Sequence, residues 1–272
     1  MNKFKLILTL FIIILLVIKY CLKKDKYEKF NVLNNSNELI YKTYVINLDS
    51  SKDRLEFVKD NARKANLDIT RFRGVEGNKL ELADLKRQNI ITNEKLRVGE
   101  IGCALSHINL WKKIINDDTI SDDKLVLILE DDVIIPKDLN QKLKKLLPHA
   151  PEDWELLFLG GCNLYGTKVN NHFMKPLIKE SPRKLGRTNI CTHAMLFKKS
   201  SIKKFLDVCS PLHNSIDFQL RQNYHKFNIY YTIPLLIFQN IEMDSVRRIF
   251  NNEPKKASNA WLNHKQSRVI IV

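Results

Sequence analysis

Residues 125–135, LVLILEDDVII, decide how this chain is read. Leu125 to Leu129 form a short unbroken apolar run, the pattern of a central strand buried on both faces. Glu130, Asp131 and Asp132 follow side by side, and a second apolar run starts at Val133. Adjacent carboxylates repel one another, and burying them is costly unless a cation or a hydrogen-bond network compensates. In open α/β sheets, ligands bind in the crevice beyond the carboxyl ends of the strands. Hard divalent ions such as Mg²⁺ or Mn²⁺ prefer carboxylate oxygens and complete their shells with substrate phosphates. The competing reading of three acids after a strand is a solvated turn or helix cap.

Outward from this strand the pattern is that of an α/β fold with a mixed, mostly parallel sheet. Residues 41–48, YKTYVINL, are rich in aromatic and β-branched side chains and predict a strand. Ser50 or Ser51 can cap a helix from Lys52 to about Ala65, with Arg54, Leu55, Val58 and Ala62 at helical spacing. A short strand is expected over 69–77, ended by glycines, and this β-α-β order favours parallel pairing. Residues 98–115 predict a helix with an apolar face that includes Ile101, Leu105, Ile108 and Trp111. A helix follows from Pro136 to Leu147, and strands are expected over 154–160, 189–197 and within 229–237. Further helices are expected from Ser200 or Ser201 to about Val208, and from Asp217 onward. Residues 163–188 are polar, with proline and glycine, and read as a loop.

The chain has 272 residues, a hydrophobic fraction of 44% and a formal net charge of +15. That length holds one large domain or two small ones. The charge allows a nucleic acid, an anionic membrane surface or a phosphorylated substrate as partner. Basic residues are spread along the chain without zinc-finger spacing, an RNP motif or a basic heptad region, so solvated lysine-rich faces account for them. Residues 1–22 hold the apolar run Leu6 to Ile18 between lysines. It reads as an N-terminal signal-anchor, or transmembrane, segment if Lys19 snorkels, with a cleaved signal as the alternative. Residues 23–40 read as a stem carrying the sequon Asn34-Asn35-Ser36, residues 41–247 as the folded domain, and residues 248–272 as a basic C-terminal tail. The anchor argues against nucleic acid as a partner. Cys21, Cys103, Cys162, Cys191 and Cys209 show no metal-ligand spacing, and both disulfides and buried thiols remain open.

Six stretches occur in order: VINLDSSKDR (45–54), GEIGCALSHINLWKKI (99–114), LILEDDVII (127–135), NICTHAMLF (189–197), SIDFQL (215–220) and PLLIFQN (234–240). Together they resemble the family 25 glycosyltransferases, which include lipooligosaccharide sugar transferases and collagen hydroxylysine galactosyltransferases. The resemblance covers about residues 41–247. It implies a GT-A type nucleotide-sugar-binding domain, a UDP-sugar donor and usually Mn²⁺, with Mg²⁺ as the other candidate. The acceptor it implies is a hydroxyl of a glycan or a hydroxylated protein, and the sugar a hexose, galactose by the resemblance. With the anchor, it implies a single-pass membrane enzyme of the secretory-pathway lumen, Golgi or ER.

Residue by residue, Glu130, Asp131 and Asp132 match the family's acidic metal motif, with Asp132 as the leading ligand, Glu130 second and Asp131 third. Asn47, Asp49 and Arg54 match the motif after the first strand: Arg54 for a phosphate and Asn47 for base or ribose, against a helix cap for Asp49 and a surface charge for Arg54. Ser106 and His107 match the helix motif; His107 either faces the substrates or is a hydrogen-bonded histidine on a packed helix. Gly99, Gly102 and Cys103 read as close-packing positions. Thr192 and His193 match CTHA, and His193 either orients the acceptor, contacts a phosphate or is satisfied in the core. Inverting transfer needs a general base for the acceptor hydroxyl; Asp217 is the candidate, with a metal or ribose ligand or an N-cap as alternatives. Gln239 ends the pattern as a donor-binding candidate. A catalytically silent glycan-binding or partner subunit of the same fold is the other function class.

Overall fold

The apolar run of the opening motif forms strand β3 (Leu125–Glu130), deep inside a nine-stranded sheet. The computed structural model describes residues 11–20, 39–177, 188–240, 242–243 and 269–271. Strand β1 is Lys42–Asn47, β2 is Thr70–Arg73, and β4 is Val133–Ile134. Then come β5 (Leu156–Phe158), β6 (Leu164–Lys168), β7 (Phe173–Pro176), β8 (Ala194–Lys198), β9 (Ile229–Thr232), β10 (Phe238–Gln239) and β11 (Val269–Ile271). The large sheet runs β11-β6-β7-β9-β5-β8-β3-β1-β2, and β10 pairs with β4 in a separate two-stranded ribbon. Strand β1 lies parallel to both β2 and β3, and β5 parallel to β9; β7 and β8 run against their neighbours. The mixed, largely parallel α/β sheet expected from the sequence is present.

Six helices are named here: α1 (Lys52–Lys64), α2 (Leu82–Arg87), α3 (Val98–Ile115), α4 (Leu139–Leu146), α5 (Ile202–Cys209) and α6 (Ile216–Gln222). The period of two along a strand sorts its side chains onto opposite faces. Val126 and Ile128 join one core with Tyr44, Ile46 and the apolar residues of α3, α5 and α6. Leu127 and Leu129 join the other with Val45, Val58 and Ala62 of α1 and Leu139, Leu143 and Leu146 of α4. A sheet covered on both faces explains why 125–129 is apolar at every position and shows no alternation. Each fully buried leucine here stabilises the fold by about 1.5–3 kcal/mol relative to exposure.

Several expectations need correction. Residues 163–188 are not a loop throughout: β6 and β7 pair antiparallel within them, and Asn170 Oδ1 accepts from His172 N and Phe173 N to shape their turn. Their polar composition reflects exposed positions such as Thr167, Lys168 and Lys175. The strand expected over 189–197 starts only at Ala194, whereas the one expected within 229–237 is present as β9, ending before Pro234. Within the expected basic tail, Val269–Ile271 is an edge strand parallel to β6; residues 248–268 lie outside the described residues. Ile40, assigned to the stem, is buried with the α1-side core. Helix α2 has no strong apolar period and was not expected.

Among the described residues no helix is long and apolar enough to cross a membrane. Residues 11–20 are helical with every side chain exposed, while the remainder of the expected anchor and residues 23–38 of the stem, including the sequon, lie outside the described residues. Cys162 and Cys191 form a disulfide across a separation of 29 residues, and Cys209 is a buried thiol; the buried-thiol reading therefore holds for Cys209 and fails for the bonded pair.

Candidate active site

The alternation that builds the two cores also divides the acidic triad. Glu130 continues the Val126–Ile128 face toward α3, whereas Asp131 continues the Leu127–Leu129 face toward α1. On the α1 side, Arg54 Nε donates to Asp131 Oδ1 at 2.7 Å, and Asn47 Nδ2 donates to Asp131 Oδ2 at 2.7 Å. The same guanidinium reaches Asp132 Oδ2 at 2.9 Å. An arginine in the first turn of a helix opposes the helix dipole, so its partners, not the helix, account for its placement. Burial works against the Arg54 charge, but Asp132 and Asp131 outweigh it and hold its pKa above the ordinary value.

Asp132 is the exceptional member. It is 9% exposed, its Oδ2 faces Arg54 and, at 3.4 Å, Gln239 Nε2, and its Oδ1 is buried without a hydrogen-bond partner. Burial pushes its pKa up to about 6, with Glu130 and Asp131 adding to the rise and Arg54 opposing it. An unsatisfied buried carboxylate oxygen is costly, and a hard cation is the partner that its chemistry suits. The strand ribbon sets this geometry: Gln239 on β10 pairs with Val133 on β4, and Asn240 N donates to Asp132 O at 2.6 Å.

Glu130 faces a different set. Thr192 Oγ1 donates to its Oε1 at 2.9 Å, and His107 Nε2 lies 3.4 Å from the same oxygen. Burial would raise its pKa, but His107 first, then His193 and Thr192, hold it well below the usual carboxylate range. Burial also lowers the pKa of His193, with the charge of Glu130 opposing the fall. Glu130 is thus separated from Asp131 and Asp132, against the expectation of one three-carboxylate metal motif.

Three other candidates sit differently from their expected roles. Asn47 is buried and spent within the protein: its amide also donates to Ser51 O, and its carbonyl accepts from Arg71 Nε at 2.9 Å. His193 is fully buried, with Nε2 3.4 Å from Ile237 O, which is the core placement rather than acceptor contact. A Cβ on Gly160 would stand 2.1 Å from His193 Nε2 and 2.6 Å from Ile237 O, so only glycine admits this ring. Asp49 is half exposed and pairs with Arg71 and Arg73. Those two arginines, on one face of β2, were missed; the signal was R-x-R in a strand.

Helix α3 is held close to the segment at Val75 through Gly102 and Ser106. A Cβ on Gly102 would come 2.7 Å from Val75 O, and Ser106 Oγ accepts from Val75 N at 2.8 Å while donating to Gly102 O. Asp217 lies in the first turn of α6, where its Oδ1 accepts from Ser215 Oγ at 2.7 Å and Phe218 N at 2.9 Å. Arg221 of that helix donates to Thr188 O, which sets α6 against the segment leading to Thr192. Among the described residues no hydrogen bond or ion pair joins Asp217 to Glu130, Asp131 or Asp132.

Comparison with known proteins gives this arrangement a relationship. A procollagen lysyl hydroxylase and glycosyltransferase of Acanthamoeba polyphaga mimivirus is 32% identical over 157 residues, covering 51% of this chain and 17% of that protein. Procollagen galactosyltransferase 2 of Homo sapiens is 30% identical over 129 residues, covering 43% and 20%. The chain therefore spans only about a fifth of the length of these relatives, by the 17% and 20% coverage. The apo glycosyltransferase GlyE of Streptococcus pneumoniae TIGR4 is similar at a TM-score of 0.37 and 10% identity, covering 83% of this chain and 63% of that one, too slight a likeness to decide anything. The family model described as glycosyltransferase family 25 (LPS biosynthesis protein) matches residues 40–220. That match runs from the start of the sheet into α6 and takes in both faces of the divided triad: this chain belongs to glycosyltransferase family 25.

Proposed function

We propose that this chain is a metal-assisted hexosyltransferase that moves galactose from a UDP-sugar to a hydroxyl of a glycan or protein acceptor. The observation that carries this reading is the buried, unpartnered Oδ1 of Asp132 at the carboxyl end of β3, inside the family match. Asp132 would hold Mn²⁺ or Mg²⁺, with Asp131 beside it; the ion supplies positive charge for the diphosphate leaving group. Glu130, on the other face, is left out of that ligand set. The chain's own residues do the rest. Arg54 orients the carboxylates of Asp131 and Asp132, and Arg71 and Arg73 offer guanidinium groups suited to phosphate. Asp217 takes the acceptor proton as the acceptor oxygen bonds to the sugar's C1. The bond from C1 to the UDP oxygen breaks, and UDP leaves with the electron pair. The relatives' names support galactose and a collagen-like acceptor, and the family description supports a lipopolysaccharide-type glycan. The apolar run within residues 1–22 supports attachment to a membrane of the secretory pathway.

One observation favours a second reading. Arg54 already supplies positive charge to Asp131 and Asp132, as a metal-free, catalytically silent glycan-binding subunit requires. A panel of UDP-sugars, with and without Mn²⁺, separates the two. Mn²⁺-dependent UDP release from one donor, abolished in Asp132→Ala, supports the transferase. Absence of turnover with every donor and acceptor, together with no Mn²⁺ binding, supports the silent subunit.

A further inference from the structure

On the α3 side of the sheet, the divided triad leaves a second group of donor atoms. Cys103 and His107 are four residues apart on α3, hence on one face of the helix, one turn apart. The period of two along β3 brings Glu130 to that same face. One donor atom from each of the three lies within 4.8 Å of the others. We propose that Cys103, His107 and Glu130 form a binding site for a thiophilic divalent cation of the Zn²⁺ class, distinct from Asp132. This proposal stands independently of the glycosyl-transfer reading.

Four features carry it. First, the separation of His107 Nε2 from Glu130 Oε1 is 3.4 Å. That is long for a nitrogen–oxygen hydrogen bond, which falls at about 2.7–3.2 Å. It matches the edge of a tetrahedron with metal bonds of about 2.0–2.1 Å, which is roughly 3.3 Å. Second, the donors are one sulfur, one imidazole nitrogen and one carboxylate oxygen. Thiolate and imidazole favour Zn²⁺ and Co²⁺, whereas Mn²⁺ and Mg²⁺ favour oxygen alone. Third, Thr192 Oγ1 donates to Glu130 Oε1 at 2.9 Å, the outer hydrogen bond that orients a ligating carboxylate. Fourth, His107 is fully buried while Cys103 and Glu130 are partly exposed, so the site has a rigid wall and a route for the ion. Three protein ligands leave a fourth position for water. The other cysteine–histidine group, Cys162, Cys191 and His193, is different, because its sulfurs are bonded to each other and offer no thiolate.

The test is a Co²⁺ titration of the full chain after chelator treatment. The expected result is stoichiometric binding with a thiolate-to-cobalt absorption band in the near ultraviolet and intense visible bands of tetrahedral Co²⁺, displaced by Zn²⁺. The bands should vanish in Cys103→Ser, persist in Cys209→Ser and persist in Asp132→Ala, which separates this site from the carboxylate one. Thr192→Val should weaken Co²⁺ binding about 10–100-fold. Wild-type protein that binds Co²⁺ without a thiolate band, or a band that survives Cys103→Ser, overturns the proposal. If Cys103→Ser does not fold, alkylation of wild-type Cys103, mapped by mass spectrometry, decides. Zn²⁺ should slow it on the order of tenfold or more, and an unchanged rate overturns the site.

Discussion

Replacing Arg54 with methionine keeps much of its bulk and removes the charge that faces Asp131 and Asp132. The three side chains are 14%, 8% and 13% exposed, so water gives the two carboxylates little relief. Breaking a buried ion pair from one side costs about 3–5 kcal/mol. For a domain of this size that is a fall of about 6–20 °C in melting temperature. The deficit must depend on pH. The Asp132 pKa, pushed up to about 6 by burial with Arg54 opposing, rises further once Arg54 is gone. Acid neutralises the carboxylate in the variant, so its deficit is greatest at alkaline pH and shrinks as pH falls. Mn²⁺ should replace the missing charge, and an ion at a hundred times its dissociation constant restores about 2.7 kcal/mol. Urea unfolding of wild type and Arg54→Met at several pH values, with and without Mn²⁺, measures all three. A variant within about 0.5 kcal/mol of wild type at alkaline pH refutes the buried-pair reasoning. A large deficit that Mn²⁺ leaves untouched refutes the assignment of a cation to Asp132.

Further outcomes follow from the same geometry. A raised folded pKa of about 6, against an ordinary 3.8, means that Asp132 favours folding below pH 3.8 and that this contribution, about 3 kcal/mol, is lost as pH rises through 6. Protons and Mn²⁺ therefore compete there: Mn²⁺ affinity, followed by calorimetry, should climb through pH 6 and level off above it, and a flat profile contradicts the shift. Gly160→Ala sets a methyl group against His193 and Ile237; it should cost about 1–3 kcal/mol by urea unfolding, and an unchanged midpoint shows that the ring moves freely. Reducing the Cys162–Cys191 bond releases a loop of separation 29 and should lower stability by about 3–4 kcal/mol, with Cys162→Ser matching the reduced protein.

The sequence made the central architecture legible wherever periodicity was strong. Helix α3 falls at 98–115 as expected because its apolar face is long and regular. Strand β3 was readable because burial on both faces demands an unbroken apolar run. The hairpin β6–β7 was not, because much of its surface faces water and its turn rests on one asparagine side chain. In the site, the acidic cluster was visible, but its division was not noticed, although it follows from the strand period that runs through Glu130 and Asp131. The roles of Asn47 and His193 depended on partners 84 and 44 residues away, Asp131 and Ile237, which no local pattern reveals. Nor did cysteine spacing disclose the Cys162–Cys191 pairing; only the approach of the segments before β6 and β8 does.

The most direct test of the account is calorimetric titration of UDP into the full chain with and without Mn²⁺, repeated in Asp132→Asn. The account predicts UDP binding that requires Mn²⁺ and disappears in the variant. UDP binding of equal strength without the ion, or undiminished in Asp132→Asn, contradicts it.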